Sequence, residues 1–525
     1  MRRKWLKGAL WVLLTPIVLF VILMILLYVP PVQNFIRKQA TAIASDATGM
    51  NISVERIDLR FPLNLLVRGV QVVQSEADAA DVQHPDTLLN LGSLNVSVQA
   101  WPLLQGRVEV NDITLQQVAV NSSNLLEGMH IKGTLGRFFL ESHGIDLKKE
   151  DAILNNVELS NTHMQVMLAD TTETPKDSTE TAVNWRIALH NLKLKNVSVD
   201  LQMPLDSMAL GANIGDASIE DANVDLKRQF YGWRRFTLTE SAVNYDLGMA
   251  APVEGFDASH IALRDIRIGI DSVMACGRDM NAIIREFSMY DRSGLTVTSL
   301  TGRLFADSTL IRIPYLQLKT PHSDMDLTAQ TYWKLVDIPT TGHLSARFNA
   351  NIGKQDVLLF AGGLPETFKE AYPFRPLVIH AGTEGNLKQM QISRFTAELP
   401  GAFFLSGGGE LWNLTDSLTR NGGLDFEMQT QDLNFLTGLT GVTPDGSIIV
   451  PDSMNLVARL GLDGPQCNAI LKIKEGEGSL GLDAAYNLNT EVYHADLAID
   501  ALQLHHFLPK DSIYTPVSYT HLTLP

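Results

Sequence analysis

The chain has 525 residues, 42 basic and 58 acidic side chains, a formal charge of −16 and two cysteines. A body this acidic is unsuited to nucleic acid, whose phosphates demand Lys and Arg, and Cys276 and Cys467 make neither a disulfide framework nor a Cys-x-x-Cys metal site. The length suits two to four ordinary domains or one repeat array.

Residues 1–30 read as a cytoplasmic tip and a membrane anchor. Met1–Lys7 carries Arg2, Arg3, Lys4 and Lys7, and Ala9–Val29, marked by Ala9, Leu14, Val21, Leu26 and Val29, has no charged residue. A bilayer core needs about 20 apolar residues in a helix. The basic cluster precedes the run, so the N-terminus is expected in the cytoplasm and everything from Pro30 onward across the membrane. A cleaved signal peptide would have a shorter apolar region, about 7–15 residues, and a nearby small-x-small site. Here Pro30-Pro31 follows, and Ala42-Ile43-Ala44 is distant, so the anchor is expected to stay.

Residues 31–49 predict an amphipathic helix. Proline suits its first turn and Gly49 its end. Val32, Phe35, Ile36, Ala40 and Ile43 share one face, with Asn34, Arg37, Lys38, Thr41 and Ser45 on the other. Such a helix either lies on the outer leaflet, with Arg37 and Lys38 near headgroups, or caps the β body. The narrow apolar face and small net charge favour the cap.

After Gly49 the period changes to two. Leu94, Val96 and Val98, then Val108 and Val110, Ile113 and Leu115, Ile187 and Leu189, Val197 and Val199, and Ile266, Ile268 and Ile270 alternate with polar residues. These are strands with one apolar and one wet face. Leu189 to Leu192 and Leu194 to Val197 are steps of three, which flip the face unless a bulge or corner absorbs the extra residue. Ser75–Asp86 and Ala169–Thr181 are too polar for core and read as loops.

Residues 50–300 form the first β region, and 301–517 a second built from repeats. Ile311-Arg312-Ile313, Pro321 and Trp333 correspond, 79 positions on, to Met390-Gln391-Ile392, Pro400 and Trp412. Each copy reaches a short apolar segment after an aspartate, at Asp356 and Asp432, and a weaker third copy runs from Gly464 to Phe507-Leu508. Units of several strands and one short helix stack into an elongated array. Residues 518–525 leave this pattern and read as a non-native tail.

No nucleophile, acid–base or metal constellation emerges, so no enzyme, cofactor or metal is expected. Gly407-Gly408-Gly409 lacks the Lys-Ser/Thr of a phosphate loop and reads as a turn. On a strand the rings of His505 and His506 would face opposite sides and share no metal.

Pro30-Pro31 through Gly49, then Ile52, Val54, Ile57 and Leu59, and above all Leu88–Asn121 with Trp101-Pro102-Leu103-Leu104, resemble the AsmA-like envelope proteins, and within them the TamB family. The resemblance covers the anchor and first 200 residues well, the repeats by pattern, and Leu205–Asp257 poorly. It implies a mostly β fold: a transmembrane helix, then an elongated, curved, repeat-built β groove with few short helices. It also implies anchorage in the bacterial inner membrane and a periplasmic body carrying phospholipids. An outer-membrane barrel partner would be met by a C-terminal domain with no counterpart in this chain.

Under that reading Val96, Val98, Val108, Val110, Ile187, Leu189, Val197 and Val199 line the groove. Alternation alone, without the resemblance, favours a closed sandwich or sheet pair in which they are core. An assembly factor pairing its edges with passing barrel strands and a static scaffold are the other functional expectations.

Overall fold

The computed structural model describes residues 29–60, 63–74, 87–99, 110–122, 128–146, 149–168, 184–440, 446–510 and 517–524. The chain is mostly β and divides into two compact units, residues 1–250 with 259–265 and residues 251–258 with 266–525. The division falls inside β10 (His260–Cys276).

The first unit opens with helix α1 (Pro30–Thr48). Its prolines fill the first turn, and Gly49 closes it at φ 69° with its N–H on the Ser45 carbonyl. β1 (Asn51–Arg60), β2 (Asn64–Val73), β3 (Thr87–Val98) and β4 (Val110–Asn121) follow. Then come β5 (Met129–Asp146), β6 (Asp151–Leu168), β7 (Arg186–Met203), β8 (Met208–Asp225) and β9 (Phe230–Leu247), each 18 residues long. Strands usually run about 5–6 residues, so these cross a much wider sheet. Neighbours pair antiparallel in chain order with one exception. β6 and β7 are parallel, with Asp151 opposite Arg186 and Met167 opposite Gln202.

Two lines of irregularity cross these strands. Glu55, Gly69, Gly92, Gln117, Gly136, Asn161, Asn196 and Gly215 each drop out of the register at one level, between paired neighbours on either side. Gly69, Gln117, Asn161, Asn196 and Glu240 adopt left-handed backbone there, with φ between 51° and 61°. A left-handed residue inside an extended strand turns the chain and resets the pleat. With five of the nine strands turning at one level, and the other four unpaired there, the sheet folds along a line. A second line runs through His143, Asn155, His190, Asp221 and Arg234. The two steps of three noted in β7 are these two corners: Lys195-Asn196 on the first, His190-Asn191 on the second.

Helix α1 docks on β1 through polar side chains. Gln33 Nε2 donates to the Leu59 carbonyl at 3.1 Å, and Arg37 Nη1 to those of Val54 and Glu55 at 2.9 and 3.2 Å. Ser45 Oγ accepts the Ile52 N–H at 3.1 Å. The polar face supplies these bonds, because a strand edge presents backbone donors and acceptors rather than apolar side chains. Phe35 and Ile43 are left 66% and 62% exposed.

In the second unit β10 continues into β11 (Asp279–Asp291), β12 (Thr296–Val297) and β13 (Ser299–Ala306), then the repeats. The first copy has β14 (Leu310–Lys319), β15 (Asp324–Tyr332), helix α2 (Trp333–Asp337) and β16 (Leu344–Ile352), then α3 (Lys354–Phe360), α4 (Glu366–Ala371) and β17 (Leu377–Asn386). The second has β18 (Gln389–Leu399), β19 (Phe403–Trp412), β20 (Asn421–Thr430), a 3-10 helix at Asn434–Thr440, and β21 (Asn455–Asp463). Next come β22 (Gln466–Glu475), β23 (Gly478–Asn487), β24 (Tyr493–Leu502), a 3-10 helix at Leu504–His506, and β25 (Val517–Leu524). Each copy thus places a helical segment between its third and fourth strands. Val517–Leu524 pairs with β24 through two register breaks.

Two local expectations are corrected. Gly407–Gly409 lies inside β19 rather than in a turn. Gly407 stands opposite Phe426, and a Cβ there would enter the space of that ring. His505 and His506 lie in the 3-10 helix, not on a strand, with His506 Nδ1 2.6 Å from Glu475 Oε1.

A small core packs around the helical segments from Phe368, Tyr372, Leu399, Ala402, Leu433, Phe435 and Met454. Trp333 closes its hairpin by donating Nε1–H to the Asp307 carbonyl at 2.6 Å, under the Arg278 guanidinium 5.3 Å from the ring. Trp333→Phe leaves that carbonyl without its donor. A loss of about 1–2 kcal/mol is expected, read as a lower urea midpoint of the full chain.

Candidate functional site

Directly opposed residues on paired strands share a face, so the register defines rows running across the sheet. In the first unit one row is Leu59, Leu65, Val96, Ile113, Leu140, Val157, Leu192, Ile219 and Phe236. The next is Ile57, Val67, Leu94, Leu115, Phe138, Leu159, Leu194, Ala217 and Leu238. Nine strands contribute, and no position in either row is polar. Beyond the first corner a third row holds Val54, Val70, Leu91, Val118, Leu135, Thr162, Val197 and Ile214. A fourth includes Ile52, Val72, Leu89, Val120, Met164 and Val199.

The opposite face has the reverse character. Arg56, Arg68, Ser93, Gln116, Arg137, Ser160, Lys195, Asp216 and Thr239 form one row. The corners carry polar ladders. Asn196 Nδ2 donates to Asn161 Oδ1 at 2.9 Å on the first. On the second, Asp221 lies 2.6 Å from His190 Nδ1 and 2.6 Å from Arg234 Nε. The hydrogen bond from Arg234 holds the Asp221 carboxyl below its usual pKa. Each corner thus turns two successive polar residues outward and keeps the apolar side chains of both arms on the inner face.

That inner face is not a closed core. Among the described residues of this unit only Leu66, Leu88, Leu91, Ala152, Val197 and Ala217 are buried apolar side chains. Val120, Met164 and Val199 are 40%, 41% and 37% exposed.

The second unit repeats the arrangement. Leu300, Leu318, Met325, Ala350, Ile379, Ala397, Leu405, Met428, Leu456, Ile473, Leu480 and Ile499 form one apolar row across twelve strands. Its neighbour runs from Leu316 and Leu327 through Phe348, Phe395 and Phe426 to Leu471, Leu482 and Leu497. On the same face, Leu411, Leu424, Leu460, Cys467, Tyr486 and Tyr493 line a cavity of about 470 Å³.

The structure places the sequence-predicted residues as follows. Val96 stands in the first row and Val98 faces Val110 at the end of β3. Ile187 and Leu189 lie beyond the second corner, opposite Ala152 and Leu154 on β6 and Val224 and Ala222 on β8. Val197 is in the third row and Val199 in the fourth. The register thus gathers the described members of the set onto one sheet. Val108 lies outside the described residues, as do Ala9, Leu14, Val21, Leu26 and the two polar loops; Val29 precedes α1 and is exposed. No helix among the described residues is long and apolar enough to cross a membrane. The rows of the second unit were not singled out from sequence. Their signal was available in Leu456-x-Ala458-x-Leu460-x-Leu462 on β21.

Cys276 and Cys467 are not joined in a disulfide. Among the described residues no group of His, Cys, Asp or Glu is arranged to hold a metal ion. No known family model matches the chain, and no curated protein sequence matches it.

Proposed function

We propose that the chain is a membrane-anchored trough that binds phospholipid acyl chains along its apolar face and carries them between the two membranes of a bacterial envelope, as its resemblance to AsmA-like proteins of the TamB type implies. One observation carries this reading: apolar rows cross nine consecutive strands of the first unit and twelve of the second, and most of their side chains remain partly exposed. Acyl chains would cover that surface at roughly 0.8 kcal/mol per buried CH₂. At the usual spacing of about 4.8 Å between strands, nine strands make a row about 38 Å long and twelve a row about 53 Å long. A bilayer core of about 30 Å holds two leaflets, so one acyl chain is about 15 Å long. Each unit thus has room for more than one lipid.

In this reading the body stands in the periplasm, the anchor is in the inner membrane, and an outer-membrane barrel is the distal partner. Strand addition to passing barrel proteins is less favoured at β1, whose edge already takes the side chains of α1. Mass spectrometry of the full chain, purified gently from cells, tests the proposal. Several phospholipids per chain are expected, and a folded, lipid-free chain would overturn it.

A further inference from the structure

Helix α1 has two faces with different fates. Gln33, Arg37 and Ser45 are spent on β1. The opposite stripe carries Phe35 and Ile43, which are 66% and 62% exposed. Removing such side chains from water is favourable, so their exposure calls for an occupant. Chain continuity says which. Pro30 follows directly on the uncharged run Ala9–Val29, which is long enough to span a bilayer. The stripe therefore begins where that run would leave the hydrocarbon. Lys38, exposed beside Phe35, is placed to reach headgroups while its stem lies along the apolar layer. Asp46, in the last turn, falls on the same stripe, so the seat covers the first turns and ends near Ile43.

We propose that α1 is an interfacial helix, lying in the bilayer surface on Val32, Phe35 and Ile43 and holding β1 against the membrane through its other face. The inference rests on the anchored-trough reading and adds an orientation to it. α1 runs alongside β1, because Gln33 meets Leu59 and Ser45 meets Ile52: twelve helical residues advance about 18 Å while seven strand residues advance about 23 Å. A helix flat on the membrane therefore lays β1 parallel to it. The strands then stack away from the surface, and the apolar rows start at the lipid and rise from it.

The test uses the full chain with Cys276 and Cys467 replaced by alanine, reconstituted in phosphatidylethanolamine–phosphatidylglycerol vesicles. Single cysteines at Phe35→Cys, Ile43→Cys, Val21→Cys and Lys195→Cys carry an environment-sensitive fluorophore. Brominated lipids are expected to quench the labels at 35 and 43 several-fold more than the label at 195. Equal quenching at 35, 43 and 195, with 21 quenched, overturns the inference and leaves the anchor standing. No quenching at 21 either would overturn both. Labels at 35 and 43 shielded from bromolipid and from aqueous iodide alike would show a protein surface on the stripe and overturn it too.

Discussion

Replacing Leu192 and Ile219 together with aspartate is expected to strip the first unit of bound phospholipid while the chain stays folded. The two residues face each other in the row from Leu59 to Phe236, next to its Phe236 end, and neither is buried. Each carboxylate would stand where an acyl chain runs. Placing an aspartate in hydrocarbon costs about 3 kcal/mol, so one such residue lowers occupancy by about two orders of magnitude. Folding is far less sensitive, since water reaches the empty inner face. Lys193→Asp, on the exposed outer face of the same strand, is the control and should change nothing. The readout is phospholipid per chain by mass spectrometry, with circular dichroism reporting strand content. Unchanged lipid in the double variant would show that the inner face is not where lipid binds. A collapse of strand content would instead mark the row as packed core.

How much of this was legible in the sequence depends on the range of each interaction. Alternation is local, so Val96, Ile113, Leu192 and Ile219 could each be assigned to a strand. The steps of three at Leu189–Leu192 and Leu194–Val197 could be recognised as faults. They could not be recognised as corners, because a corner exists only when neighbouring strands turn at the same level. Asn196 sits beside Asn161, 35 residues earlier, and that alignment depends on the parallel pairing of β6 with β7. Nothing in the alternation of either strand distinguishes a parallel partner from an antiparallel one. Gly407 misled for a related reason. Three glycines read as a turn by local rules, but Gly407 is small because Phe426 of the next strand needs the room. Helix α1 shows the same limit from the other side. Its apolar stripe was visible, yet the choice of docking face was set by the backbone groups of β1, which carry no signature in side-chain pattern. The repeat was legible because turns and helical segments are punctuated locally, at Pro321 and Pro400 and at Asp356 and Asp432.

The corners themselves make the sharpest structural prediction. At Gly215 on the first corner, an added Cβ would meet the Glu240 carbonyl oxygen and stand 2.7 Å from the Glu240 Cβ. Glu240 is held in left-handed backbone at φ 52°, so it has little freedom to withdraw. Alanine at 215 must therefore push β8 and β9 apart where they turn. Overpacking against backbone costs about 3 kcal/mol or more when nothing flexible can yield. Gly144→Ala is the matched control: a Cβ there has nothing within 4 Å, and removing glycine's backbone freedom from the unfolded chain should leave stability equal or raise it by about 0.5 kcal/mol. Gly215→Ala should speed amide exchange on both sides of the corner in β8 and β9 and lower the urea midpoint, while Gly144→Ala does neither. The consequence reaches beyond stability. The corner keeps Ala217 and Ile214 on one face although they stand three residues apart, so a strand that straightens there turns one of them outward and interrupts the apolar face. Lipid retention should then fall in Gly215→Ala even under conditions where most of the chain remains folded. If both variants behave alike, the strands are not closely opposed at that level and the fold line does not pass through β8 and β9.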